Sequence, residues 1–323
     1  MPTASNDNHG RSGRFASRPV PLRGSRETRE RFIVLGLRLC ASLAVVGLGL
    51  IIVFVFREGL PVLFDPATRQ EASLHGFFST PIWQPVSGVP KYGLLPLLLG
   101  TLKATLVAMT LATPLSVLAA VYTSEFAPPR AREIIKPAVE LLAGVPSVVL
   151  GFFALVVLAT WLHHALHVGT RLNALNAGVA LGLAVIPTVF SVAEDALRAV
   201  PNSYREASLA LGASRWQTAW NVTLPAAAAG VTAGILLGLA RAVGETMIVL
   251  MASGNAAMVS GSVFDSVRTL SATIAAEMGE VVVGSPHYAT LFFLGGMLFL
   301  ITFVINTLAG LLVERMRRKL GTA

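Results

Sequence analysis

The chain has 323 residues, 54% of them hydrophobic and only 13% charged, with a mean hydropathy of +0.69. The charged fraction is about half that of an average soluble domain, and apolar runs long enough to cross a hydrocarbon core about 30 Å thick recur along the chain, which excludes a soluble enzyme or binding module. The net charge of +8 does not mark a nucleic-acid partner, because Lys and Arg gather at the ends and in short loops, the pattern of membrane orientation.

Residues 1–32 are polar, rich in Arg, Ser and Gly, and without a hydrophobic period, so they read as a disordered basic arm. The apolar run after it is too long for a signal-peptide core and ends in Arg57-Glu58 with no small-residue cleavage pattern, so it is a permanent first span. Cys40 within it has no partner for a disulfide or metal site and reads as a small buried hydrophobe. The full pattern predicts six spans, at about 33–56, 94–122, 138–162, 174–194, 225–251 and 289–313. The N-terminal arm carries seven Lys and Arg, the 123–136 loop three, the 198–215 loop three and the C-terminal tail four, seventeen in all. The alternate loops carry five: Arg57, Arg69, Lys91, Arg171 and Arg268. This asymmetry puts both termini, including the basic tail 316–323, in the cytoplasm.

The first external loop, 57–93, has the Pro, Gly and aromatic content of a partly ordered cap. In span 2, Lys103 is expected to snorkel to the headgroups. Pro114, Pro146 and Pro187 fall inside spans 2, 3 and 4, where proline kinks a helix or marks irregular backbone around a cavity. Glu140 is expected to pair with Lys136 one turn earlier. His163, His164 and His167 read as a polar turn rather than a metal site, since no acidic residue lies nearby in sequence. Glu194 and Asp195 read as solvated end charges of span 4.

The loop 195–224 and its exit carry the sequence REASLALGASRWQTAWNVTLPAA, residues 205–227. Pro201 and Asn202-Ser203 are helix start signals, Ala207, Leu211 and Trp216 bring apolar groups to one side, and Gly212 interrupts the helix. A short helix across the cytoplasmic surface can dock on a soluble partner and pass its movement to the flanking spans; the alternative is a helix floating among headgroups. In span 5, GLARAVGETMIVL places Arg241 and Glu245 at membrane depth, where each charge costs about 2.5–3.5 kcal/mol. Arg241 lies about 24 Å of helix beyond Pro225, with Glu245 expected one turn further on the same face. A guanidinium stays charged and presents a fork suited to a tetrahedral oxyanion; Glu245 would hold it in place and weaken anion binding enough for release. A self-neutralising structural ion pair is the alternative. Gly230, Gly234 and Gly238 repeat at four-residue spacing and predict a close helix–helix contact, within the chain or with another membrane chain. The second external loop, 252–288, contains SATIAAEMGE, read as a short amphipathic segment.

Glu206-Ala207-Ser208, Gly212, Val222 and Leu224-Pro225 match, at its spacing, the E-A-A…G…(aliphatic)-x-L-P hallmark of ABC importer permeases, with Ser208 where that motif has alanine. Residues 92–102, 140–152, 186–201 and 238–250 resemble the Pst-type phosphate importer, and specifically its PstC-like permease subunit, over roughly residues 30–315. The resemblance implies an all-α membrane protein, a polytopic helical bundle of about six transmembrane helices with a cytoplasmic coupling helix, of the type I importer kind. It implies a permease domain at 33–315 in a bacterial inner membrane, with Glu206, Ala207 and Gly212 contacting an ATPase, Leu224 and Pro225 in the same coupling set, and Arg241 and Glu245 on the phosphate path. The implied partners are a second homologous permease, two ATP-binding subunits, an external phosphate-binding protein and membrane lipid, with no nucleic acid. The chain has no G-x-x-x-x-G-K-[ST] segment, so ATP and Mg belong to the partner subunits and this chain carries no cofactor, metal or catalytic constellation. Two rivals stay open: a permease for another oxyanion or small solute, and a stand-alone secondary transporter, which predicts inverted repeats not seen here.

Overall fold

The computed structural model describes residues 24–319, and the chain divides into residues 1–52 and 53–323. In the first unit the described residues belong to α1 (Gly24–Gly59), an apolar helix with side chains such as Phe32 and Leu43 exposed. Residues 24–32 are therefore helical rather than disordered; residues 1–23 of the expected arm and 320–323 of the tail lie outside the described residues. Cys40 is exposed on this helix, not buried.

The chain then runs through three short helices, α2 (Pro61–Phe64), α3 (Pro66–Glu71) and α4 (Leu74–Ser79), and a hairpin of β1 (Trp83–Gln84) and β2 (Lys91–Tyr92), with Trp83 opposite Tyr92. After it come α5 (Leu95–Val121), α6 (Pro129–Ala143), α7 (Ser147–Phe153), α8 (Ala159–Leu166), α9 (Ala174–Arg198), α10 (Asn202–Ala210), α11 (Arg215–Thr218) and α12 (Leu224–Ala226). Helices α13 (Ala228–Gly244), α14 (Met247–Ala252), α15 (Leu270–Glu277) and α16 (Pro286–Lys319) complete it. π-Helical segments at Tyr122–Phe126, Ala154–Leu158 and Ala219–Thr223 extend α5, α7 and α11 at their C-terminal ends.

Among the described residues five helical stretches are long and apolar enough to span a membrane: Arg29–Phe64, Leu95–Phe126, Ser147–Leu166, Ala174–Arg198 and Pro286–Met316. A pair bent by 71°, Arg215–Ala226 and Ala228–Gly244, makes a sixth. Two expected spans need correction. The third starts at Ser147 rather than 138, because Pro146 lacks an amide hydrogen and forces Val145 out of the helical region, so α6 ends as a separate helix with no buried residue. The fifth is broken twice, at the bend before Ala228 and again after Gly244.

Apolar attraction between helices vanishes in lipid, so packing must come from close backbone approach. On α5, Gly100, Ala104, Ala108, Ala112, Ser116 and Ala120 recur every fourth residue and are all buried; Ala104 and Ala108 meet Gly178 and Gly182 of α9, while Gly100 meets the backbone of Arg268. A Cβ on Gly182 of α9 would stand 3.2 Å from the Ala108 carbonyl oxygen. Helix α13 packs on α9 through Gly230, Gly234 and Gly238, so the glycine stripe packs within the chain, against Ala196, Val192 and Val189. Pro114 and Pro187 lie inside α5 and α9, and Ser116 Oγ donates to the Ile186 carbonyl at 3.1 Å.

Residues 57–93 close one end of the bundle, the cap end. Phe77, Trp83, Tyr92 and Leu94 are buried there with Leu270, Leu291 and Leu294, and Phe54 and Phe56 at the end of α1 meet Phe292 and Phe299 of α16 edge to face. Glu277 is the hub: it accepts from Trp83 Nε1 at 3.0 Å, pairs with Arg268 at 2.8 Å and contacts His287 at 2.9 Å. Burial alone would raise the Glu277 pKa, but the His287 and Trp83 hydrogen bonds and the Arg268 charge outweigh it and hold the carboxyl below its ordinary value. Burial, reinforced by Glu71 and Glu277, pushes Tyr92 up to about 12. Helix α15 is not a surface amphipathic segment: Leu270, Ser271, Ala272 and Thr273 are buried. Lys103 does not reach for headgroups; its Nζ donates to the Ser262 carbonyl at 3.1 Å.

Candidate functional site

At the end of the bundle opposite the cap, the chain leaves α9 and turns at Pro201 into α10. Gly212 ends this helix with φ of +87°, a conformation that a Cβ would strain, and Ser214 opens α11 with a reciprocal capping box to Gln217. Ser208 Oγ and Thr218 Oγ1 meet at 2.9 Å and close the two helices into a lever. Glu206 and Ala207 lie exposed on α10 with Tyr204 and Leu211 (91% exposed) beside them, while Trp216 of α11, also exposed, rests against Phe126 and Trp220. Gly212 stands between the two helices of the lever. Leu224 and Pro225 do not join that surface; they sit in α12, beyond the π-helical segment, where the chain bends into α13.

Arg205 ties the lever to the bundle. Its guanidinium donates to Glu125 Oε1 at 2.8 Å, to the Val200 carbonyl at 2.7 Å and to the Leu197 carbonyl at 2.8 Å. Glu125 lies in the π-helical end of the second span, so one side chain joins α10, the end of α9 and the end of α5. Arg132 of α6 donates to the Thr123 and Ser124 carbonyls at 3.0 and 2.8 Å, fixing the same turn from the other side. Nearby, Glu194 is fully buried, not a solvated end charge, and pairs with Lys136 at 2.9 Å and Arg198 at 3.0 Å. The expected Lys136–Glu140 pair is replaced by Lys136–Glu194 and Lys136–Asp195, and the Glu194 hydrogen bond raises the Lys136 pKa against the opposing effect of burial.

The second location is mid-bundle. Arg241 is exposed on α13 and its Nη1 donates to Thr188 Oγ1 at 3.0 Å. Thr188 lies ten residues before Arg198 at the end of α9, about 15 Å along the axis, well inside the span. Glu245 does not share a helical face with Arg241. It caps α13 in an extended conformation, φ −69° and ψ 134°, and its Oε1 accepts from the Thr246 amide at 3.1 Å. The expected Arg241–Glu245 ion pair is absent among the described residues, because the helix ends one residue before Glu245. Ser271 of α15 donates to the Glu245 carbonyl at 2.8 Å, so the interrupted backbone is held by the segment that folds back from the cap. Irregular backbone at membrane depth is tolerated where it is buried in protein or lines a polar cavity.

Arg205, Glu125, Thr188 and Ser271 escaped the sequence reading. Arg205 directly precedes Glu206 of the motif, but its partner Glu125 is 80 residues away and no spacing rule joins them. Among the described residues no group of three or more His, Cys, Asp or Glu is placed to hold a metal, at His163, His164 and His167 or elsewhere.

Residues 112–318 match the family described as "Binding-protein-dependent transport system inner membrane component". The chain is 34% identical over 290 residues to the probable ABC transporter permease protein YqgH of Bacillus subtilis (strain 168), covering 90% of this chain and 91% of that one. It is 35% identical over 274 residues to the phosphate transport system permease protein PstC of Xylella fastidiosa (strain 9a5c), covering 78% and 83%. The PstC of Mesorhizobium japonicum is 33% identical over 292 residues, covering 84% and 88%. Among solved structures, the inward-facing MetNI methionine ABC transporter superposes with a TM-score of 0.54 at 18% identity, covering 69% of this chain and 97% of that chain, a likeness of fold.

Proposed function

This chain belongs to the family of binding-protein-dependent transport system inner membrane components, and from that premise we propose that it is the permease subunit of an ATP-driven phosphate importer. It is an integral membrane protein of the ABC permease type, and the relatives it matches are named as transport permeases. Membership implies association with ATP-binding subunits and a second permease. We assign the PstC-like role because relatives so named align over most of the chain.

In this reading the cap faces outward and receives phosphate from a binding protein, and the lever of α10 and α11 faces the cytoplasm, as the excess of Lys and Arg in its loops requires. Two ATPase subunits, which carry the Mg and ATP, close on nucleotide and press on Glu206, Ala207 and Gly212. Arg205 passes the displacement to Glu125 and so to α5, while Leu224 and Pro225 pass it through the bend to α13. Arg241 then offers its fork to the passing oxyanion, with Thr188 holding the guanidinium in position. Glu245, at the break, lines the path as a separate carboxylate that opposes tight retention.

The observation that carries the reading is the exposed lever bearing the Glu206-Ala207-Ser208…Gly212 motif, with no nucleotide-binding loop in the chain to drive it. The assembled transporter in proteoliposomes is expected to take up labelled phosphate with ATP present, in preference to sulfate and molybdate. Equal uptake by the purified chain without ATPase subunits contradicts it.

A further inference from the structure

Behind the lever lies an open cleft of about 640 Å³ between the turn joining α5 to α6 and the helices α10 and α11. Four arginines line it, Arg132, Arg198, Arg205 and Arg215, against one carboxylate, Glu125. Glu125 is taken by Arg205 and Arg198 is paired with Glu194. Arg132 and Arg215 have no carboxylate partner among the described residues, and Arg132 spends only its Nε and Nη2 on backbone carbonyls. An arginine offers five N–H donors, so both retain donors for a ligand.

We propose that this cleft is a binding site for a phosphate-class oxyanion, bridging Arg215 on the lever and Arg132 on α6. A carboxylate is planar and fills one guanidinium fork, whereas a tetrahedral phosphate has enough acceptor oxygens to engage two forks from different elements. The uncompensated positive charge favours a dianion, and the cleft leaves room for the group to which a phosphate is esterified. The shared chemistry comes from two sources, free inorganic phosphate and the headgroup of a phosphomonoester lipid. The site is distinct from Arg241, which lies on α13 at the mid-span position of Thr188, and its occupancy does not depend on which solute crosses the membrane.

The test is arginine modification by phenylglyoxal, mapped by peptide mass spectrometry on the assembled transporter without its binding protein. One arm adds inorganic phosphate to phosphatidylcholine nanodiscs; the other uses nanodiscs containing phosphatidic acid and no free phosphate. Modification of Arg132 and Arg215 is expected to slow on the order of tenfold when the anion stands at about ten times its dissociation constant. Arg69 and Arg315, exposed and outside the cleft, are expected to react at unchanged rates. Protection in the first arm alone identifies the free ion, and in the second alone the lipid. Unchanged rates at Arg132 and Arg215 in both arms, or equal slowing of Arg69 and Arg315, overturns the site. The readout needs no transport, so its failure is separable from a failure of the uptake assay.

Discussion

Arg205 and Glu125 meet at 2.8 Å across a sequence separation of 80 residues, and both side chains are largely shielded from solvent. The guanidinium also holds the carbonyls of Leu197 and Val200, so the lever cannot move as a unit without carrying the ends of α5 and α9 with it. Arginine suits this post because its planar fork serves several acceptors at once, which a lysine ammonium on a flexible stem does not.

Arg205→Lys in the assembled transporter is expected to keep ATP hydrolysis while lowering phosphate uptake about tenfold, the equivalent of about 1.4 kcal/mol of lost coupling. The ratio of transport to hydrolysis is the measurement. A parallel fall in both rates, leaving the ratio unchanged, assigns the pair to folding alone.

Arg241→Gln and Arg241→Lys are both expected to reduce phosphate uptake while complex assembly stays intact, since the lysine keeps the charge but loses the fork. Glu245→Gln is expected to leave the Arg241 side chain on Thr188, because the two charged groups are not paired. Normal uptake by a well-assembled Arg241→Gln transporter removes this residue from the path.

Gly238→Val tests the packing of α13 on α9. The first added carbon would stand 2.5 Å from Val189 Cγ2 and 2.9 Å from Val185 Cγ1. Overpacking of this kind costs about 1–3 kcal/mol, so a lower melting temperature and poorer assembly are expected. Gly244→Ala, with nothing within 4 Å of the added carbon, is the control and is expected to leave assembly and the melting temperature unchanged.

Glu277 ties the cap to pH. Its pKa in the folded chain lies below the ordinary value of 4.5, so its contribution is full above the unfolded pKa and is lost as pH falls through the folded one. The melting temperature of the wild-type complex is therefore expected to fall on acidification below about pH 4.5, through this carboxyl. Glu277→Gln leaves Arg268 without its partner, costing about 3 kcal/mol at neutral pH, and flattens that acid dependence. An unchanged acid limb in the variant contradicts the assignment.

The spans were legible because each is an apolar run of membrane length, and the lever because Pro201, Gly212 and the Glu206-Ala207 motif punctuate it locally. The features that escaped depend on partners distant in sequence or on a break that hydropathy cannot register. The run from Ala228 to Ala252 is apolar apart from its charged pair and two threonines, yet the backbone leaves the helix at Glu245, where Ser271 from another element takes up the carbonyl. That break moved Glu245 off the face of Arg241. Likewise Glu194 read as a solvated end charge because Lys136, its partner 58 residues earlier, is supplied by a helix that the proline at 146 separates from span 3. The stripe from Gly100 to Ala120 was a local signal of the same kind as the glycines of α13, overlooked because alanine and serine stand where glycine does on α13.

The most direct measurement is site-specific photocrosslinking from Leu211, 91% exposed at the tip of the lever. With a photoactivatable residue at this position in the assembled transporter, a crosslink to an ATP-binding subunit is expected, with a yield that changes when nucleotide is added. Crosslinks to lipid alone, with the ATP-binding subunits present and active, contradict it.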